Sequence, residues 1–246
     1  MVHRDQLVAY LNAYLKIDEF DDYGPQGLQV QGGESVNSVV TAVSASLQLF
    51  NEAAGMGADL VIVHHGLLWD RESRVIRGHL QKRLNALLAN DITLLAYHLP
   101  LDKHPEVGNN AQAARLLGLS EVQPFGAVGI QGVVQDLSLD SVLKRVKTLF
   151  GPAPLVFPYG PSTIRNVGLC SGAGHREIIL AVDGELDLFI TGEVSESTMH
   201  LAKEGGIHCI AAGHYATERL GIRALGEHIA GRFDVKTKFL DIPNPV

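Results

Sequence analysis

Short, unbroken apolar runs recur along this chain, separated by stretches whose leucines and valines repeat at helical spacing. DLVIV (59–63), ITLLAYHL (92–99), IRNVGLC (164–170), DLFIT (187–191) and IHCIAA (207–212) read as strands. Strands with no polar face belong in a sheet covered by helices on both sides. VNSVVTAVSAS (36–46), GIQGVVQ (129–135) and VKTKFLDI (235–242) add further strands. Helices are expected over 3–16, where Leu7, Leu11 and Leu15 share a face, and over 47–55, 79–89, 109–118 and 139–150. More are expected near 175–182, 195–204 and 215–231, and Gly118 suits a left-handed helix cap. The class is α/β, with largely parallel sheets covered by helices.

Two segments break the pattern. Residues 21–33 read as a turn-rich connector, and 119–127 as a pause that divides the chain into domains 1–125 and 126–246, whose last helix and strand could return to the first domain. An internal echo links the halves. DLVIVHHG (59–66) resembles DLFITGEV (187–194), and ITLLAYH (92–98) resembles IHCIAAG (207–213).

Composition narrows the function. A net charge of −7 without basic clusters argues against general nucleic-acid binding. No apolar run is long enough to span a membrane, and the start reads as an amphipathic helix rather than a signal peptide, so a soluble, cytoplasmic protein is expected. The two cysteines, Cys170 and Cys209, lie in apolar strands and read as buried thiols. Histidine is plentiful, at 11, and it clusters.

His64 and His65 follow DLVIV directly. Neighbouring side chains on a strand face opposite ways, so both serve one site only where the strand ends, and Gly66 supplies a turn. Asp102 lies just past ITLLAYHL, and His214 and Glu218, four apart at a helix start, follow IHCIAA. Ligands of open α/β sheets bind beyond the carboxyl ends of strands, which is where all three groups sit. Taken singly each has a bland reading: a packed histidine beside a solvated one, a helix cap, a surface His–Glu pair. Together they offer three imidazoles and two carboxylates, too many for one tetrahedral ion and suited to two divalent ions (iron, zinc or manganese) with Glu218 as bridge. Such a centre would attract an anionic substrate. Glu193 and His98 are candidate proton shuttles or supports for the ligands, as is His200. Gly172 and Gly174 form a Gly-x-Gly turn that could take a phosphate.

The set GLQVQG (27–32), VIVHHGLLW (61–69), YHLPLDKHPEVGNN (97–110), ITGEV (190–194) and AAGHYATERLG (211–221) resembles the GTP cyclohydrolase 1 type 2 homologue family over nearly the whole chain. Gly66 stands where relatives often carry proline. The resemblance implies a dinuclear metal centre on His64, His65, Asp102, His214 and Glu218. It also implies two similar α/β domains with the metal site at strand ends in the cleft between them, and a ring-shaped homohexamer. The implied activity is metal-dependent hydrolysis of a nucleotide-like small molecule, for GTP a ring opening that releases formate. A non-catalytic metal-trafficking or scaffold protein, or a metallophosphoesterase, would fit the same ligands.

Overall fold

The computed structural model describes residues 1–73 and 75–246. In chain order its elements are β1 (Val2–His3), α1 (Arg4–Leu15), β2 (Gly27–Val30), β3 (Ser35–Val36), β4 (Ser38–Ser44), α2 (Leu47–Gly55), β5 (Leu60–His65), α3 (Gly78–Leu88), β6 (Thr93–Ala96), α4 (Leu99–Lys103) and α5 (Asn109–Leu117). There follow β7 (Ser120–Phe125), β8 (Gly129–Leu137), α6 (Leu139–Phe150), β9 (Leu155–Pro158), β10 (Ile164–Cys170), α7 (Ile178–Asp183), β11 (Leu188–Thr191), α8 (Thr198–Gly205), β12 (His208–Ala211), α9 (His214–Thr217), α10 (Arg219–Arg232) and β13 (Lys236–Phe239). The α/β class read from the sequence is the one observed. The chain forms two compact units, Met1–Val107 with Gly221–Ile242, and Gly108–Leu220 with Pro243–Val246. A division at 125/126 would cut a hairpin, because β7 and β8 pair antiparallel with Phe125 opposite Gly129.

The first unit holds a sheet in the order β13-β4-β5-β6-β2. β13, β4, β5 and β6 run parallel, and β2 closes the edge antiparallel to β6. β4 shows how the apolar runs are used. Val40 and Ala42 join a core with Leu49, Phe50 and Ala53 of α2 and Leu87 of α3. On the opposite face α10 packs so closely at Thr41 that a Cβ on Gly226 would come within 3.2 Å of it. Leu7, Leu11 and Leu15 of α1 are fully buried, each contributing about 1.5–3 kcal/mol.

The second unit has the sheet order β7-β8-β10-β11-β12-β9. Its centre, β10-β11-β12, is parallel, and the flanking strands are antiparallel. Val167 and Leu169 face α5 and α6, while Cys170 and Phe189 face α7 and α8. Both cysteines are buried.

The internal echo is a shared strand register. Val39 pairs with Leu60 as Val167 pairs with Leu188, and Leu60 pairs with Thr93 as Leu188 pairs with His208. Asp59 Oδ2 accepts the N–H groups of Asn37 and Ser38 at 2.8 and 2.9 Å, and Asp187 Oδ2 those of Arg165 and Asn166 at 2.8 Å. Gly32 N–H donates to Thr93 Oγ1 in one unit, and Gly160 N–H to His208 Nδ1 in the other. Buried His208 is thus a structural acceptor.

Among the strands with no counterpart in the expected pattern, β2 lies in the segment read as a connector, β7 is an edge strand that exposes nearly every residue, and β9 is the short edge run LVFP, half-exposed and only four residues long. The helix expected over 215–231 is two helices, interrupted at Glu218 (φ −104°, ψ 3°).

Candidate metal centre

In the first unit β5 runs through both histidines instead of ending before them. His64 is fully buried, and its Nδ1 donates to the carbonyl of Tyr97 at 2.9 Å. A carbonyl can only accept, so in the neutral ring Nε2 carries the lone pair. That nitrogen lies 3.5 Å from Oδ2 of Asp102, which is 4% exposed and sits on α4. Two lone-pair atoms held this close suit a cation between them.

His65 pairs with Ser44 on β4, and its Nδ1 is hydrogen-bonded to the Ser44 hydroxyl at 3.1 Å. The His64 and His65 rings still converge, with centroids 4.7 Å apart, and His98 lies 5.1 and 5.5 Å from them. These three histidines bring ligating nitrogens within 4.8 Å of one another. His98 is fixed by Asp22, whose Oδ1 accepts from Nδ1 at 2.8 Å and whose Oδ2 accepts the Leu99 N–H at 2.9 Å. Burial alone would raise the Asp22 pKa. The hydrogen bond and charge of His98 and the backbone donors outweigh that and hold it below its usual range.

In the second unit His214 opens α9, and its Nε2 lies 3.1 Å from Oε2 of Glu218, which is 2% exposed. Its Nδ1 is hydrogen-bonded to Oε1 of Glu193. This carboxylate–imidazole–ligand order is the usual support of a metal-binding histidine. Burial pulls the His214 pKa down, but hydrogen bonding and charge from Glu218, and then from Glu193, raise it to about 9. The same two carboxylates that favour a proton on this imidazole would favour a bound cation in its place. The donor types and their supports fit a divalent ion.

Gly172, of the Gly-x-Gly turn, makes room for this carboxylate, and Gly174 makes room for the Cys170 side chain. Gly172 has φ +61°, and a Cβ there would overlap Oε1 of Glu218 and come to 3.2 Å from Nε2 of His214. A Cβ on Gly174 would meet Sγ of Cys170 at 2.6 Å. A turn pressed against a buried carboxylate repels an anion. His200 stands on the exposed side of α8, 3.7 Å from Glu196.

The supports that sequence reasoning missed lie in the connector. Gln26 Oε1 accepts the His98 N–H at 2.7 Å. Gln29 Oε1 accepts the N–H groups of Leu67 and Leu68, and Gln29 packs so tightly against Gly66 that any Cβ there would overlap it. Gly66 therefore admits the glutamine that pins the loop after the double histidine. Polar residues near strand ends were the available signal, and Asp22, Gln26 and Gln29 carried it.

A model of the Duf34/NIF3 (NGG1p interacting factor 3) family matches residues 2–245. The chain belongs to that family. The Duf34/NIF3 assignment agrees with the resemblance read from the motifs. A Haemophilus influenzae protein named GTP cyclohydrolase 1 type 2 homolog is 44% identical over 246 residues, covering 98% of each chain. A protein of the same name from Escherichia coli K12 is 48% identical over 245 residues with the same coverage. The solved structure of the protein ybgI matches at a TM-score of 0.96 and 45% identity over 100% of both chains. No helix among the described residues is long and apolar enough to cross a membrane.

Proposed function

We propose that this Duf34/NIF3 protein is a metal-dependent hydrolase of nucleotide-like substrates, holding two divalent ions through His64, His65, Asp102, His214 and Glu218. One observation carries the reading. In each unit a histidine commits Nδ1 to a protein acceptor and turns Nε2 onto a buried carboxylate, at 3.5 Å for His64–Asp102 and 3.1 Å for His214–Glu218. Bound divalent ions would supply Lewis acidity and a water acidified toward neutral pH. The chain's own part is to orient. Tyr97 O and Glu193 fix two imidazoles, Ser44 steadies a third, and Gly172 leaves room for Glu218. His98, held by Asp22 beside the double histidine, is placed to hold or pass a proton from its Nε2. The relatives' name, GTP cyclohydrolase 1 type 2 homolog, makes GTP the first substrate to test.

Elemental analysis of protein purified without added metal should find two equivalents of iron, zinc or manganese per chain. Replacing His65 or His214 with alanine should deplete it from either unit. Loaded protein should release formate from GTP, or a different product from another nucleotide, and His65→Ala should not. Absence of bound metal overturns the centre. Stoichiometric metal without turnover across a nucleotide panel overturns the hydrolase and leaves a metal carrier, while inorganic phosphate as the product makes it a phosphoesterase. Sedimentation analysis tests the homohexamer.

A further inference from the structure

We infer that Trp69 and Tyr23 form an aromatic wall beside the histidine group of the first unit and select substrates that carry a planar heteroaromatic ring. The inference rests on the hydrolase reading and names what that site recognises.

Trp69 lies four residues past His65. Its ring stands at 89° to that of His98 with centroids 5.3 Å apart, and lies 6.3 Å from the ring of His65. Tyr23 reaches the same imidazole from another loop, at 6.1 Å, while remaining 66% exposed. Neither loop is free to drift. The Asp70 N–H donates to the Tyr23 carbonyl at 3.0 Å, tying one to the other. They press together so closely that a Cβ on Gly24 would come to 2.5 Å from the Leu68 carbonyl. Gln29 pins the Trp69 loop through Leu67 and Leu68, and Asp22 pins the Tyr23 loop through its own contacts with His98 and Leu99.

An exposed loop tyrosine alone would mean little. Here two aromatic side chains on mutually bonded loops meet the same histidine, beside nitrogens placed to ligate a cation. Large aromatics next to reactive polar groups offer a stacking face, and every nucleobase has one. The wall carries no charge, so it discriminates by ring rather than by phosphate.

Trp69 is the chain's single tryptophan, which makes its fluorescence a direct reporter. Zinc-loaded protein is titrated with guanosine, guanosine monophosphate and ribose 5-phosphate. Saturable quenching is expected with the first two and not with the third. By equilibrium dialysis Tyr23→Ala and Trp69→Leu should each bind guanosine about 5- to 150-fold more weakly, the loss of one stacked base, while Tyr23→Phe and Trp69→Phe retain most of the affinity. Zinc content is measured on each preparation. Ribose 5-phosphate binding as tightly as guanosine monophosphate, or alanine and leucine variants that keep both zinc and guanosine affinity, overturns the wall. Loss of zinc with Trp69→Leu but unchanged guanosine affinity assigns Trp69 to sheltering the histidines and also overturns it. Wild-type protein that binds guanosine but no zinc overturns the metal centre and leaves the wall standing.

Discussion

Gly172→Ala probes the candidate centre without replacing a proposed ligand. The residue sits at φ +61°, where a Cβ costs about 1–2 kcal/mol in any protein. Gly206, the cap of α8, has φ +65° and open space within 4 Å of where a methyl would stand, so Gly206→Ala isolates that backbone cost. At Gly172 the methyl would also overlap Oε1 of Glu218. The backbone cannot step aside, because its N–H donates to Thr217 Oγ1 at 3.0 Å and its carbonyl accepts from Gly192 and Glu193 at 3.0 Å each. Glu218 must move and give up its contact with His214, a charged interaction of about 1.5–3 kcal/mol. In chelator-treated protein Gly206→Ala should therefore cost about 1–2 kcal/mol, and Gly172→Ala about 2.5–5 kcal/mol. Thermal unfolding should show drops of roughly 2–8 °C and 5–20 °C. Calorimetric zinc titration should show weakened binding only for Gly172→Ala. Equal destabilisation by the two variants, with equal zinc binding, would refute the claim that this glycine exists to make room for the carboxylate.

Glu193→Gln removes the charge that anchors His214 Nδ1, and metal affinity measured against a competing chelator should fall about 10- to 100-fold. In metal-free protein His214 has a folded pKa near 9, above its unfolded value of about 6.5, so its stabilisation is complete below about pH 6.5 and lost as pH rises through about 9. That contribution is about 3 kcal/mol. The urea stability of wild type minus that of His214→Gln should shrink between pH 6 and pH 9.5, and a flat difference would contradict the assignment. Asp59→Ala and Asp187→Ala each strand two backbone donors, so each should cost about 1–3 kcal/mol by chemical denaturation, with the double variant additive to about 0.5 kcal/mol.

What the sequence revealed was whatever periodicity and strand ends encode. Apolar runs marked the parallel strands because those strands have no polar face, and α6 spans Leu139–Phe150 as expected. The donors were legible because they follow such runs. The edge strands β2, β7 and β9 were not, and β7 shows why, exposing nearly every residue. Gly66, read as the turn that lets both histidines face one site, directly follows the last residue of β5, and the close packing of Gln29 against it was not legible. Gly172 resembled a phosphate turn for a related reason: one local pattern serves close approach of either an anion or a side chain, and the distinction lies in Glu218, far along the chain. Asp22 went unnoticed because its partner, His98, is joined to it only through the fold.

The repeated frame explains why the echo fades at the strand tips. Carrying the shared register to the end of β4 and just past β10 matches Ser44 with Gly172, and to the end of β5 and just past β11 matches His65 with Glu193. Carrying it past β6 and β12 matches His98 with Gly213 and Leu99 with His214. Sheet hydrogen bonds come from the backbone, so tip side chains can differ without disturbing the frame, whereas the aspartates that precede β5 and β11 are held to one identity by the backbone donors they accept. Each tip has then taken a separate task. In the first unit the imidazole at the end of β5 is the candidate ligand, supported by a serine on the neighbouring strand. In the second the matching position is a carboxylate that supports an imidazole following the next strand. Ligand and support have exchanged places on the same scaffold, so the chemistry is read from the strand tips and the fold from the runs that precede them.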